Sequence, residues 1–301
     1  MILEVNRLKK SFGSKHVLNG IDLRIPDASV YGLVGKNGAG KTTFLNILAG
    51  ISDADSGECI ISGEKIRRGH YSSGLISYLP DLPSFFDYLT VREYISFILS
   101  ACNSKHNGKY DFGKKLDEIG LDERARIKSL SRGNRQKLGI LASVITEPKL
   151  LILDEPTSAL DPVGRREVML LIQDLRKQGI TILFSTHILS DLESVCNKIG
   201  FLHEGIIQRE VDLNADNNLN AYEITFRGSS TDCVSKICKH MPEYHVEVAA
   251  QSNKLICTPK DGNIDQERFF TAISHIDAEI HSIKRVSKND LEVIMLEVLS
   301  K

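Results

Sequence analysis

The 301-residue sequence predicts an α/β fold built on a parallel sheet with crossover helices. Short, continuous apolar runs are typical of strands that are covered on both faces. Three such runs lead into helical hydrophobic patterns, and this alternation indicates parallel strands joined by helices. The runs lie at residues 30–34, 150–153 and 180–184.

Periodicity and turn residues predict the remaining elements of the first two thirds of the chain. Apolar and polar residues alternate over 21–25, as in a half-buried strand that Pro26 ends. Thr90 and Glu93 form a capping box that opens a helix. We predict strands at 21–25, 58–62, 75–79, 199–202 and 206–210, helices at 44–48, 90–99, 163–177 and 189–195, and a region that is helical throughout at 99–145. The last two strands are predicted to form a hairpin.

A second domain is predicted after a polar, asparagine-rich linker at 214–220. Beyond it a strand-helix-strand pattern occurs twice, which favours a small ferredoxin-like α+β domain of the βαββαβ type. Its strands are predicted at 222–226, 245–249, 255–258 and 280–286, and its helices at 233–240, 268–276 and 290–299. We therefore divide the chain into a first domain at 1–213, with a helical subdomain at about 84–146, and a carboxyl-terminal accessory domain at 221–301.

Composition argues against several classes of function. With 38 basic and 39 acidic side chains the formal net charge is −1, so no excess of positive charge is available to neutralise a long nucleic acid. Six cysteines occur without a CxxC pair, and we expect neither zinc nor disulfides. The first residues lack a signal-peptide pattern, and no apolar stretch approaches the roughly 18 residues that span a bilayer. We expect a soluble, cytosolic chain with no nucleic-acid partner.

A glycine-rich loop connects the first buried strand to the next helix. Residues 35–42 read Gly-Lys-Asn-Gly-Ala-Gly-Lys-Thr and match the pattern G-x-x-x-x-G-K-S/T. Glycines let backbone N–H groups approach a phosphate, the helix N-terminus adds partial positive charge, and a lysine neutralises the β- and γ-phosphates. A chance match in a chain of this length is on the order of one in a hundred. We expect the loop to bind ATP through Asn37, Gly38, Gly40, Lys41, Thr42 and Thr43, with Thr42 also a ligand of Mg²⁺.

Two carboxylates follow the second buried strand. Asp154 and Glu155 end an apolar run, which places them at the carboxyl edge of the sheet beside the phosphate loop. There Asp154 is predicted to hold Mg²⁺ through water, and Glu155 to polarise the attacking water. The alternative is a strand that ends in a solvated acidic turn, and the neighbouring phosphate loop makes that the weaker interpretation.

Three further segments complete a family pattern. They are 130–134 (Leu-Ser-Arg-Gly-Asn), 155–162 (Glu-Pro-Thr-Ser-Ala-Leu-Asp-Pro) and 185–187 (Ser-Thr-His). In order and spacing they resemble the signature, D-loop and switch-histidine motifs of ABC (ATP-binding cassette) ATPases, over residues 2 to about 211. The resemblance is greatest for the ATP-binding subunits of ABC-2-type exporters of drugs, antimicrobial peptides or polysaccharides. It implies a P-loop NTPase (RecA-like) core with antiparallel β and helical subdomains.

The resemblance also implies roles for individual residues. Phe12 stands where the family has the aromatic residue that stacks on adenine, and His187 where a histidine bonds the γ-phosphate and orients Glu155 and water. Ser131 and Gly133 would cap the γ-phosphate of ATP bound to an opposite subunit. A signature motif cannot reach its own phosphate loop, so the resemblance implies a head-to-tail homodimer or heterodimer. The alternatives are a core aromatic at position 12 and an ordinary N-cap at position 131.

Three positions depart from the family pattern. Arg132 and Asn134 stand in the signature where glycine and glutamine are usual, and the resemblance implies that both are tolerated, because the atoms needed come from Ser131, Gly133 and the backbone. Asp81 stands where the family has a glutamine that touches Mg²⁺ and senses the membrane partner. A carboxylate can ligate Mg²⁺ but cannot donate a hydrogen bond. We expect Asp81 either to join the metal site, with hydrolysis that is slower or more dependent on the partner, or to be an acidic turn residue between two prolines.

The expected function is that of an ATP-hydrolysing motor subunit of an ABC transporter, with export as the direction. ATP-driven closure of the dimer would be coupled to a separate transmembrane permease, which places the chain at the cytoplasmic face of the cell membrane. Aromatic residues at 85, 86 and 88 stand where the family docks a helix of the permease, with a core role as the alternative. A soluble ABC ATPase associated with ribosomes or DNA is the alternative function. For 221–301 we expect a regulatory or dimerising role.

Overall fold

The computed structural model describes most of the chain in two compact units, Met1–Asp212 and Leu213–Lys301. The residues that it describes are 1–69, 74–101, 112–145, 147–158, 160–213, 220–227, 237, 241–248, 254–260, 266–274, 279–287, 291, 294–295 and 298. Most of the predicted linker (214–219) and most of the predicted helix at 233–240 lie outside these residues. None of the described helices combines the length and the apolar character that crossing a bilayer requires.

The first unit contains a parallel and an antiparallel sheet with helices around them. Its strands are β1 (Leu3–Phe12), β2 (Lys15–Ile25), β3 (Val30–Val34), β4 (Ser56–Ile61), β5 (Glu64–Lys65), β6 (Ile76–Leu79), β7 (Leu150–Asp154), β8 (Thr181–Thr186), β9 (Lys198–His203) and β10 (Ile206–Asp212). Its helices are α1 (Lys41–Leu48), α2 (Val91–Ala101), α3 (Phe112–Glu118), α4 (Arg132–Ser143), α5 (Pro162–Lys177) and α6 (Leu189–Val195).

A six-stranded sheet of order β10-β9-β3-β8-β7-β6 forms the centre of this unit. All its neighbouring strands pair in parallel except β10, which forms the predicted hairpin with β9 at the edge. Every residue of β3, β7 and β8 is buried, because both faces of this sheet, which is built by crossovers, are covered. The predicted α/β fold with a parallel sheet is confirmed.

The second sheet is antiparallel and has the order β2-β1-β4-β5. Its apolar side chains share one core with α1 and with side chains of β3 and β7. Strand β1 was not predicted, because irregular pairing breaks the alternation of its apolar and polar residues. The register with β2 shifts between Val5 and Leu8, and Arg7 adopts a left-handed φ of 46° there.

The capping box that was predicted for α2 is present. The Thr90 backbone N–H donates to Glu93 Oε2 over 2.7 Å, and the Glu93 N–H donates back to Thr90 Oγ1 over 3.2 Å. The prediction that 99–145 is helical throughout is wrong, because 119–126 is not helical and Arg126 forms a β-bridge with Thr90. Gly120, with a φ of 68°, follows the end of α3, as a left-handed residue after a helix commonly does.

Helix α4 lies close to the parallel sheet. A β-carbon at Gly139 would lie only 2.8 Å from Leu79 Cδ1, so a glycine in the middle of α4 allows the close approach to β6. This packing places the N-terminal end of α4, with Ser131 and Arg132, on the same side as the turn that follows β6.

The second unit contains β11 (Asn220–Arg227), β12 (Tyr244–Val248), β13 (Lys254–Pro259), α7 (Gln266–Ser274) and β14 (Glu279–Ser287). Its sheet is antiparallel with the order β12-β13-β11-β14, which is the order of a ferredoxin-like βαββαβ domain. The core holds Tyr222 stacked on Phe269 at a centroid distance of 3.8 Å. The described residues of 290–299 are helical, at Leu291, Ile294, Met295 and Val298.

Candidate nucleotide-binding site

The glycine-rich loop is a tight turn between β3 and α1. Gly38 and Gly40 have φ values of 84° and 106°, a conformation that other residues rarely adopt. A β-carbon at Gly40 would also lie 3.0 Å from the Val17 carbonyl oxygen. Lys41 begins α1 and is buried, and its Nζ donates to the Gly35 carbonyl oxygen over 2.8 Å. The loop thus holds a buried ammonium group at the N-terminus of a helix, an arrangement suited to phosphate.

An open cleft of about 420 Å³ lies over this loop and contains most of the predicted site residues. The cleft is lined by Phe12, Lys15, Val17, Asn37, Gly38, Gly40, Lys41, Thr42, Thr43, Asp81, Asp154 and Glu155. At its wall Phe12 is 56% exposed, which is not the burial of a core residue. The ring is therefore accessible to a stacking partner such as a nucleotide base.

Asp154 is held by its neighbours at the end of β7. Its Oδ1 accepts a hydrogen bond of 2.5 Å from Ser185 Oγ, its pairing partner on β8. The Tyr78 hydroxyl also bonds this carboxylate, and burial together with the Asp154 charge raises the Tyr78 pKa well above its ordinary value. Asp154 as a whole is 2% exposed, and these hydrogen bonds fix the orientation of its carboxylate.

Glu155 lies between two groups that can act on a phosphate. Its Oε1 is 3.3 Å from Lys41 Nζ, and its Oε2 is 2.9 Å from His187 Nδ1. Glu155 has a left-handed φ of 47°, and its N–H donates to the Ser185 carbonyl oxygen over 3.1 Å. Such a conformation costs free energy in a residue with a side chain, and strain of this kind clusters at functional sites. His187 is exposed, so its second ring nitrogen is open to a ligand.

A buried hydrogen bond links the segment after Glu155 to the helix after His187. Thr157 Oγ1 donates to Asp191 Oδ2 over 2.6 Å, and both residues are buried. Burial raises the pKa of Asp191, while the hydrogen bond from Thr157 partly opposes that rise. This bond therefore joins the D-loop, which begins at Glu155, to α6, which follows His187.

Ser131 and Gly133 lie at the N-terminus of α4, and neither lines the cleft described above. Ser131 is the N-cap, since its Oγ accepts from the Asn134 N–H over 3.2 Å. A β-carbon at Gly133 would be 3.8 Å from Leu160 Cδ2, an ordinary contact distance. Nothing in the described part of the same chain therefore requires glycine at this position.

Asp81 lines the cleft together with Thr42 and Asp154. It also accepts a short hydrogen bond from Ser158 Oγ, and it lies 3.9 Å from the guanidinium Nη2 of Arg132. Both partners belong to other segments of the chain, the turn after Glu155 and the first turn of α4.

The oxygen atoms of Thr42, Asp154 and Asp81 suit a magnesium ion. Mg²⁺ prefers oxygen ligands and is commonly held by one or two carboxylates together with substrate phosphates and water. Within the described ranges, no group of three or more His, Cys, Asp and Glu side chains is placed to hold a metal ion alone.

A group of exposed aromatic residues lies before and within α2. Phe86 and Tyr88 are 43% and 67% exposed, and the Phe86 ring contacts Phe97 at a centroid distance of 5.3 Å. The Phe85 ring contacts Tyr94 at 5.3 Å. Phe86 and Tyr88 are thus exposed within a cluster of aromatic rings, whereas Phe85 is half-buried and lies near Gly139 of α4.

Four residues that organise the site were not predicted from the sequence: Tyr78, Thr157, Ser158 and Asp191. Ser185 was predicted only as part of a motif. The signal for Ser185 is the parallel register of β7 and β8, which pairs it with Asp154. That register becomes visible only when the two strands are placed side by side.

Comparison with known proteins assigns the chain to a family. Residues 18–158 match the model of the family described as ABC transporter. The chain is 35% identical over 218 residues to the lantibiotic transport ATP-binding protein SrtF of Streptococcus pyogenes. This match covers 72% of this chain and 94% of the relative. It is 28% identical over 299 residues to the bacitracin transport ATP-binding protein BcrA of Bacillus licheniformis, covering 98% and 92%.

A solved structure described as the ATP binding subunit of an ABC transporter aligns with a TM-score of 0.63. The two chains are 26% identical, and the alignment covers 71% of this chain and 91% of the solved chain. The predicted cassette fold and the predicted ATPase class are confirmed, and the comparisons lend no support to a non-transport role. This chain belongs to the ABC transporter family, as one of its ATP-binding ATPase subunits.

Proposed function

We propose that the chain powers an exporter of antimicrobial peptides or similar compounds, by hydrolysing ATP in a head-to-tail dimer that drives a separate transmembrane permease. The observation that carries this proposal is the position of Glu155 between Lys41 and His187. The names of the relatives, which include lantibiotic and bacitracin transport proteins, support export of this class of compound.

In the proposed hydrolysis, Lys41 and the phosphate loop bind the β- and γ-phosphates, and Phe12 stacks on the base. Lys41 then exchanges its contact with Glu155 for the phosphates, which frees the Glu155 carboxylate for water. Glu155 accepts a proton as the water oxygen attacks the γ-phosphorus, and the bond to the β,γ-bridging oxygen breaks, giving ADP and phosphate.

His187 and Asp154 have supporting roles in this proposal. His187 bonds the γ-phosphate and keeps Glu155 aligned, consistent with its 2.9 Å distance from Oε2. Asp154, Thr42 and Asp81 would hold Mg²⁺, which supplies positive charge to the phosphates when bound. The Ser185 hydroxyl fixes the orientation of Asp154.

The signature residues support a dimer in this proposal. Ser131 and Gly133 offer a hydroxyl and a helix N-terminus that do not line the cleft of their own chain, and such a terminus suits a phosphate. A second subunit, identical or related, would supply the matching nucleotide. The second unit, residues 213–301, would then regulate or support dimerisation.

The permease would dock on the aromatic surface of Phe86, Tyr88 and Phe97, which would place the chain at the cytoplasmic face of the membrane. Exposed aromatic side chains are frequent anchors of protein interfaces. Docking there would transmit movement of the helical region to the membrane subunit.

This function is tested by measuring ATPase turnover in vesicles that contain a co-expressed candidate ABC-2-type permease. We expect the permease to stimulate turnover, and Tyr88→Ala to remove most of the stimulation while ATP hydrolysis by the isolated chain is unchanged. Phe270→Ala, an exposed aromatic residue of the second unit, is the matched control. Absence of both stimulation and co-purification would contradict the motor assignment.

A further inference from the structure

Phe12 is the last residue of β1 and lies directly before the turn that leads into β2. It is exposed and lines the nucleotide cleft, so burial in the core does not hold its ring in place. Exposed residues beside such a turn are mobile unless other contacts restrain them. A base can stack on a well-placed ring only if such contacts are present.

A lysine lies over the Phe12 ring. Lys10 Nζ is 5.4 Å from the ring centroid, within the roughly 6 Å at which the π-electrons attract an ammonium group. Phe12 lines the cleft, whereas Lys10 is not among the described residues that line it. This indicates that the ammonium group approaches the ring from outside the cleft, which leaves the cleft side of the ring to a base.

Asp55, in the loop before β4, restrains both Lys10 and the backbone next to Phe12. Its Oδ1 accepts a hydrogen bond of 3.1 Å from Lys10 Nζ, and its Oδ2 accepts one of 2.6 Å from the Ser11 N–H. The Asp55 backbone N–H donates in turn to the Lys9 carbonyl oxygen over 2.9 Å. The bond from Lys10, followed by that from Ser11, holds the pKa of the Asp55 carboxyl below its usual value. The carboxylate is therefore charged at neutral pH and binds both groups.

We propose that Lys10 and Asp55 position Phe12 for the nucleotide base. Asp55 holds the Lys10 ammonium group over the ring, and the ring is thereby fixed before the nucleotide arrives. The Lys10 side chain is only 16% exposed, so water competes little for its contacts. Both are positioning residues, because they act on the base through Phe12. This inference rests on the stacking of Phe12 in the proposed function, but it needs neither the dimer nor the permease.

A ring that is fixed in advance strengthens nucleotide binding, because an ordered side chain loses less freedom when a base stacks on it. Ordering one mobile side chain on binding corresponds to about two- to ten-fold in affinity. The effect is specific to ligands with a base. A phosphate ligand without a base does not use Phe12, and its affinity reports only the general loss of one charge near the cleft.

The test compares the affinities of ADP and of inorganic pyrophosphate, each with Mg²⁺, by calorimetry on the full chain. We expect Lys10→Met and Asp55→Asn to weaken ADP binding about two- to ten-fold more than pyrophosphate binding. Lys10→Arg keeps a cation that can reach both the ring and Asp55, so its ratio of the two affinities should match wild type. Lys65→Met is the control, since it removes a 2.8 Å surface ion pair with Glu58 in the same antiparallel sheet.

A double-mutant cycle shows whether Lys10 acts through the ring. In the Phe12→Ala background, Lys10→Met should not change the ratio of the ADP and pyrophosphate affinities any further. An effect of Lys10→Met that persists without the ring, or equal losses for both ligands, would overturn the positioning role. If Phe12→Ala itself leaves ADP binding unchanged, the stacking in the proposed function fails and the positioning role fails with it. The motor function is judged separately, by stimulation with the permease.

A second measurement follows the ring directly. The sequence contains no tryptophan, so Phe12→Trp introduces a single fluorophore at this position. Its fluorescence anisotropy in nucleotide-free protein should fall when Lys10→Met is added, because the ring gains freedom, and should stay constant when Lys65→Met is added. Equal anisotropy in all three proteins would contradict the positioning role.

Discussion

Asp191 is a buried acid that the family motifs do not include. Its titration makes the stability of the folded chain depend on pH. Burial raises the pKa of its carboxyl, so the folded chain keeps this proton to higher pH than the unfolded chain does. The folded state then binds more protons, and the stability that Asp191 contributes is lost as pH rises from about 3.9 through the raised folded value.

Asp191→Asn should therefore change the pH dependence of stability in a defined direction. The free energy of unfolding in urea is measured for wild type and variant at intervals between about pH 4 and 7. The variant should gain stability relative to wild type as pH rises across this window. A difference that is constant with pH would show that Asp191 titrates alike in the folded and unfolded states.

Side chains of the site differ in how far the sequence could specify them. Lys41 and Glu155 were predictable, because the loop and the apolar strand that precede them are local patterns. The bonds of Asp154 with Ser185, of Thr157 with Asp191 and of Asp81 with Ser158 span 31 to 77 residues. Such contacts depend on which strands and loops become neighbours, and no local pattern encodes them.

Among the elements, α2 begins with a capping box whose two partners satisfy each other's backbone N–H groups. Thr90→Ala removes one of these bonds and the hydroxyl contact to Glu93. We expect a loss of about 1 kcal/mol in the free energy of unfolding. Ser100→Ala, at the opposite end of the same helix, should change it by less than about 0.5 kcal/mol, because Ser100 is exposed.

Chemical unfolding in urea compares these two variants under identical conditions. Equal losses would mean that the start of α2 is not held by its cap. The sequence predicted continuous helix over 99–145, whereas the structure has a turn at 119–126. Asp122 is the reason, because its side chain accepts from the Arg124 N–H and its carbonyl accepts from the Ala125 N–H, which forms a local turn.

For the whole molecule, the fold class and the order of the strands after residue 213 were predictable from periodicity. The antiparallel sheet of the first unit was not, since β1 carries two irregularities before Lys9. The residues that line the cleft all belong to the first unit, which has its own hydrophobic core.

Truncation after Leu213 should therefore leave ATP binding within about two-fold of the full chain, because every lining residue remains. A fluorescent ATP analogue measures the affinity of both forms. If the truncated chain is folded but binds ATP more than ten-fold more weakly, the second unit contributes to the site. The same preparations show whether residues 214–301 support dimerisation.

The central claim is that bound ATP joins two subunits, each completing the other's site with its signature residues. Light scattering on the Glu155→Gln variant tests this directly, with and without ATP and Mg²⁺. We predict a monomer without nucleotide, a dimer with ATP, and a monomer again when Ser131→Arg is added, since a large cationic side chain would displace the γ-phosphate cap. A Glu155→Gln protein that binds ATP yet keeps the mass of one chain would contradict the account.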